Sequence, residues 1–217
     1  MAGLWDLVVR PDTFFARVSQ EAIDLRPPLA IFAAGALLPG LVYMVIIVAY
    51  MVSGSFSSLS VTLQGMMWVF LKCNVSLPLA GWIIMSLWTW GISRGLGGKG
   101  SLAATVRDTG YGMMPWTLSI IAFVLLAIML FVIGFAAPVT TGVMEEYAQT
   151  AYDTWTYLGL LFVIWQWYLW TLGVQHTQKF AFGRSAVITG IPVAVYLAFV
   201  IAAMASVDVT RMIMTGT

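Results

Sequence analysis

The chain has 217 residues, of which 61% are hydrophobic and only 9% charged, with a formal net charge of +1 and a mean hydropathy of +0.93. A soluble domain carries about a quarter charged residues, so the polar groups here cannot cover a water-facing surface, and several apolar runs reach the roughly 20 residues that cross a bilayer. The near-neutral balance gives no clustered basic face for nucleic acid, and the lone cysteine, Cys73, excludes an intramolecular disulfide, CxxC redox chemistry and a cysteine-rich zinc site.

Residues 1–27 precede the first long apolar run. Within them, residues 3–9 and 12–24 are predicted to form two short amphipathic helices separated at Arg10 and Pro11, with Asp12 as the N-cap of the second. Phe14, Phe15, Val18 and Ala22 share one face at helical spacing, while Arg17, Gln20, Glu21 and Asp24 fall mainly on the remaining surface. Such a face either lies in the headgroup plane or packs against the protein's own helices. Trp5, Phe14, Phe15 and Arg17 are the candidate lipid or partner contacts of this segment. Asp6, Arg10, Pro11, Asp12 and Arg17 interrupt any signal-peptide core, so the first span is expected to act as the insertion signal.

Residues 28–217 are expected to form an all-α, five-helix transmembrane bundle, with spans near 28–52, 75–95, 111–137, 155–173 and 186–205. Pro27 and Pro28 mark the turn into the first span, where Ala36 and Gly40 form a small-xxx-small pair suited to close helix approach. Lys72, Asn74 and Pro78 interrupt the apolar character before the second span, so residues 62–73 are predicted to be an outer interfacial or kinked lead-in helix. Pro192 falls inside the fifth span and is tolerable if a neighbouring helix satisfies the carbonyl it frees. Trp88, Trp90, Trp116, Trp155, Tyr157, Trp165, Trp167 and Trp170 concentrate near span ends as an aromatic belt, with Trp165, Trp167 and Trp170 deeper than a belt requires.

The polar segments alternate in charge. Eight of the ten Lys and Arg residues (Arg10, Arg17, Arg26, Arg94, Lys99, Arg107, Lys179 and Arg184) fall on one side of five spans, and only Lys72 and Arg211 on the other. The opposite side carries a Ser-rich loop near 53–60 and an acidic loop with Glu145, Glu146 and Asp153. Because Lys and Arg are retained in the cytoplasm during insertion, the N-terminus is expected inside and the C-terminus outside.

Gly95, Gly97 and Gly100 satisfy the GxGxxG expression literally, but a transmembrane helix precedes them where a dinucleotide site needs a strand. A glycine turn followed by a helix over 102–109, capped by Ser101, is the better account. His176 is the only histidine, and as one imidazole past a span end it reads more simply as a helix-end cation than as an acid-base group. Gln166 sits near the middle of the fourth span, and Lys72 and Asn74 flank the second; such residues face protein or a wet cavity. No catalytic group, cofactor site or metal site is expected.

Several motifs taken in order resemble the YIP domain family, five-span membrane proteins named for interaction with Ypt/Rab GTPases. Arg10-Pro11-Asp12-Thr13-Phe14-Phe15 is similar to that family's lead of a proline and paired aromatics before the first span. Gly97 to Pro115, with Gly100-Ser101 and Gly110-Tyr111, resembles its cytoplasmic glycine loop and the proline entering the third span, and His176 to Ala186 resembles the polar loop before its last span. The eukaryotic Asp-Leu-Tyr-Gly-Pro motif and long cytosolic N-terminal region are absent, so Rab-type GTPase binding is not expected. The resemblance is to the short prokaryotic branch, which implies a cytoplasmic (inner) membrane and a non-enzymatic adaptor, membrane-organising protein or accessory subunit of a membrane complex. Its partners would be membrane lipids and other membrane proteins, met at the cytoplasmic face. The alternative is a small transporter or channel subunit with a polar path near Gln166, Asn74 and Lys72.

Overall fold

The computed structural model describes residues 3–52, 65, 68, 70–136 and 141–215, and among them every regular element is helical. Two short helices, α1 (Leu4–Val9) and α2 (Pro11–Val18), meet at Arg10, because Pro11 can open a helix but cannot continue one. Asp12 therefore lies in the first turn of α2 and is not its cap. α2 also ends at Val18, well short of Asp24. Ser19 turns its hydroxyl back to the carbonyl of Ala16 at 2.9 Å. Asp24 accepts from the Arg26 backbone N–H at 2.9 Å, capping the next helix instead of extending the last.

That next helix, α3, spans Arg26–Val52. Its tightest crossing falls at Gly35, where a Cβ would sit 2.5 Å from the Trp116 ring and 2.8 Å from Thr117 Oγ1. Thr117 donates to the Ile31 carbonyl at 2.9 Å across the same crossing. Ala36 is buried beside it, but a Cβ at Gly40 would rest at 3.4 Å from Phe70, so the close approach comes one turn earlier than the Ala36/Gly40 pair suggested.

The second span starts earlier than 75. A π-helical segment, Phe70–Ser76, runs directly into α4 (Leu77–Gly95). Pro78 supplies no N–H to the ladder and its ring crowds the carbonyl four residues back, so the helix widens here where an interruption was expected. The Ser-rich segment near 53–60 and most of 62–69 lie outside the described residues. The third span is split: α5 (Leu102–Tyr111) ends in a turn at Gly112 and Met113, and α6 (Met114–Ala136) follows.

α7 (Thr141–Gln178) and α8 (Phe182–Thr215) both exceed their predicted spans. At 1.5 Å per residue α7 is about 57 Å long. The stretch bearing Glu145, Glu146 and Asp153 is thus helical backbone and not a loop: it is rich in Met, Glu, Gln and Ala, with no proline to stop it. Those three side chains lie outside the described residues. Lys179 takes a left-handed φ of 60° and turns the chain into α8 within three residues.

Four helical stretches among the described residues are long and apolar enough to cross a bilayer: Phe70–Gly95, Leu102–Leu126, Tyr157–Gln178 and Phe182–Ala202, with Arg26–Val42 as a shorter apolar helix. The protein is an all-α polytopic membrane protein.

Several tryptophans expected in a belt act instead as donors between helices. Pro192 inside α8 leaves the Ile188 carbonyl without its intrahelical partner, and Trp88 Nε1 on α4 donates to that oxygen at 3.0 Å. Trp167 Nε1 donates to the Ala186 carbonyl at 3.2 Å. Trp170 Nε1 reaches the Thr109 carbonyl, in the last turn of α5, at 2.9 Å. Replacing Trp88 by Phe should lower unfolding stability in detergent by roughly 0.6–1.7 kcal/mol, the scale of intramembrane hydrogen bonds. The loss should shrink in a Pro192→Ala background, where residue 192 regains its N–H; thermal unfolding of the four proteins measures the coupling.

Candidate functional site

Among the described residues, the buried charges and many of the buried hydroxyls gather around α5. This ten-residue helix is buried from Thr105 to Tyr111, apart from the half-buried Val106, and plugs the space between α2, α3, α4 and α7. Ser101 caps it, accepting from the Ala104 N–H at 3.1 Å, as the sequence predicts. Gly110 lets it approach its neighbours: a Cβ there would sit 2.5 Å from the Trp82 ring and 2.7 Å from Pro28. Tyr111 is buried against Phe14, and Pro115 is buried just beyond the turn.

Along α5 the threonine hydroxyls and the charges are engaged. Trp82 Nε1 donates to the Val106 carbonyl at 3.0 Å, and the Ser86 and Thr109 hydroxyls lie 2.6 Å apart. Gln178 bridges two elements, with Nε2 donating to Thr105 Oγ1 at 3.0 Å while its Oε1 accepts from the Gly100 N–H at 2.9 Å. Gly100 is required there, because a Cβ would lie 2.6 Å from Thr177 Cγ2. Gly97 provides the turn before it with φ +85°.

Arg107 and Asp108 form an ion pair at 2.8 Å, each about 3% exposed. Thr177 donates its hydroxyl to the other Asp108 oxygen. Motif spacing did not reveal this pair, since consecutive helix residues diverge and do not normally face each other; the Arg107 side chain must curl back. Two charges out of water are tolerated only when both are paired and hydrogen-bonded. Arg107 and Asp108 are buried, and neither they nor His176 line the cavity described below.

The N-terminal helices are locked onto this part of the bundle. Phe14 and Phe15 are each about 1% exposed, with Leu7 and Val18 buried beside them. Phe14 meets the Tyr111 ring edge-on at 4.9 Å, and Phe15 reaches within 3.3 Å of where a Cβ on Gly173 would stand. Phe14 and Phe15 are therefore core residues and offer no surface to a partner, because α2 spends its apolar face on the protein itself. His176 Nε2 lies 2.8 Å from Asp12 Oδ1, so α2 supplies the carboxylate that the histidine lacks in its own stretch of sequence. Trp5, by contrast, is 73% exposed, with Leu4 and Val9 also exposed on α1. Arg17 is exposed and pairs with Asp6 at 3.3 Å, a contact that adds little to stability in water.

A cavity of about 580 Å³ lies on the far side of Trp82 and Trp170, between α4, α6, α7 and α8. Gln166 and Cys73 line it, and Lys72 and Asn74 are not among its lining residues. Lys72 instead lies 5.3 Å from the Trp68 ring centroid.

Asp108→Ala should cost about 3–5 kcal/mol, because it strands the Arg107 charge in the interior. The double replacement Arg107→Met with Asp108→Leu should cost less than Asp108→Ala alone, and thermal unfolding in detergent distinguishes the two.

A family model described as the Yip1 domain matches residues 5–204. No curated protein and no solved structure matches the chain.

Proposed function

The chain belongs to the Yip1 domain family, and on that premise we propose that it is a non-enzymatic integral membrane adaptor or accessory subunit that meets its partners at the basic end of the bundle. The observation that carries this reading is the contrast within α1 and α2. One side is fixed into the interior by Leu7, Phe14, Phe15 and Val18, and the other leaves Leu4, Trp5 and Val9 uncovered beside Arg10 and Arg17. A rigidly held surface loses little conformational entropy on binding. Tryptophan and arginine are the side chains most often dominant in protein contacts, and tryptophan also suits the headgroup region. The buried charges are engaged with each other, Arg107 pairing with Asp108 and Thr177 donating to Asp108, while His176 meets Asp12 at the surface.

In this reading the chain crosses the inner membrane five times. The basic end faces the cytoplasm, where the partner or anionic headgroups would meet Arg10 and Arg17, and the C-terminus lies outside. Of the residues named for the transporter alternative, Gln166 lines the cavity described above and Asn74 and Lys72 do not.

Trp5→Ser should strip a membrane-protein partner from the protein after gentle detergent extraction, read by mass identification, without lowering its unfolding temperature. Phe14→Ala should instead destabilise the fold by about 3–5 kcal/mol. Recovery of the same partner with the Trp5 variant, or of a lone monomer from wild type, counts against the adaptor reading. A periplasmically activated reporter fused after Thr217 should be active and one fused before Met1 inactive; the reverse pattern would overturn the orientation.

A further inference from the structure

The cavity between α4, α6, α7 and α8 has three properties that together point to an occupant. Its volume, about 580 Å³, falls within the roughly 300–1,000 Å³ of small-molecule sites. Its walls are chiefly aromatic and aliphatic, with Trp82, Trp116 and Trp170 at the end toward the basic cluster, and it reaches the bilayer-facing surface at Ile84 and Tyr196, both exposed. An opening of this kind admits molecules sideways from the lipid.

Gln166 supplies the second property. It stands about 18 Å along α7 from Gln178 at 1.5 Å per residue, near the middle of a ~30 Å hydrocarbon layer. Its Nε2 donates to Met113 Sδ at 3.3 Å, and thioether sulfur is a weak acceptor. Among the described residues its Oε1 accepts no hydrogen bond. An amide left in this state at such depth is costly; a ligand hydroxyl would donate to Oε1, and a ligand carbonyl would accept from Nε2 in place of the weak thioether.

The third property is a pair of glycines. Gly81 on α4 and Gly159 on α7 both line the cavity, and a Cβ at either would meet nothing within 4 Å. Glycine weakens a helix interior relative to alanine. At Gly35, Gly100 and Gly110 a close neighbour from this chain explains the choice; Gly81 and Gly159 have no such neighbour, as Gly91 has none, but these two lie on the cavity wall, where the bare backbone is open to a molecule in it.

We propose that this cavity is a lipid-binding site, taking the hydrocarbon tail of an amphiphile from the bilayer with a hydroxyl or carbonyl group bonded to the Gln166 amide. The tail packs against the tryptophan walls and passes over Gly81 and Gly159. The protein then carries a bound lipid next to the polar cluster, since Trp82 and Trp170 touch both.

The test uses the full chain reconstituted in phosphatidylcholine vesicles. One arm contains a phosphatidylcholine with a diazirine in one tail, the other a free long-chain alcohol carrying the same group. After illumination, peptides holding Met113, Phe162 and Val163 should be labelled several-fold more than those holding the outward-facing Val195 and Phe199. Gly81→Leu with Gly159→Leu should abolish that excess while the unfolding temperature holds. If the Leu pair fails to fold, Gly81→Ala with Gly159→Ala should still reduce the excess. Gln166→Leu should weaken labelling by the alcohol several-fold. Labelling in the first arm identifies a bilayer phospholipid as the source, and labelling in the second alone identifies a free amphiphile. Equal labelling of cavity and outward-facing peptides in both arms, or an excess that survives the glycine replacements, would overturn the proposal.

Discussion

A bilayer core holds no water to pair with a bare carbonyl or amide, so every backbone group must find its partner inside the protein. That single constraint accounts for much of the chain's unusual use of tryptophan. An indole joins a large apolar body to one donor, which lets it sit among hydrocarbon side chains and still answer a stray carbonyl. Trp88 does this for the oxygen freed by Pro192, and Trp170 for a carbonyl in the final turn of α5. The hydroxyl of Thr117 acts on the Ile31 carbonyl in the same way over a shorter distance. Helix crossings in this molecule are therefore held by shape and by donors aimed at the neighbouring backbone.

The same logic explains why a charged pair can lie at the centre of the basic end. Arg107 and Asp108 satisfy each other, Thr177 takes a remaining lone pair, and the short helix that carries them is enclosed by four others. The pair adds little net stability over an apolar filling, but it penalises any packing that separates the two charges. Its position ties α5 to α7, and α7 in turn holds α2 through Gly173 and His176. What looks in sequence like three separate cytoplasmic segments is one fused block. The exposed side of α1 inherits its rigidity from that block.

Apolar run length and the placement of Lys and Arg made the membrane class legible, and Ser101 announced its cap because the side chain acts on backbone only three residues away. Features that depend on distant residues were hidden. Both fates of the α2 face, headgroup or interior, produce the same aromatic stripe, and only the presence of Tyr111 and Gly173 decides between them. The acidic stretch at 145–153 reads as a loop by its charge, yet its helix-forming residues and lack of proline make its backbone helical. Pro78 reads as an interruption and instead widens its helix, while the repair that Pro192 calls for is legible but its donor, an indole a hundred residues from the freed carbonyl, is not. The cavity left no trace in the pattern, since its lining is drawn from four helices.

The docking of α2 sets an order of assembly. Asp12 and His176 are separated by 164 residues, and a ribosome adds about 5–20 residues per second, so the N-terminal helices emerge roughly 8–33 s before the last part of their seat exists. Throughout that interval Phe14 and Phe15 must be covered by something other than Tyr111 and Gly173, and the nearest apolar medium is the membrane surface itself. Closure of α1 and α2 onto the bundle consequently waits until the His176 end of α7 has been made, and the surface bearing Trp5 takes its final shape only after that.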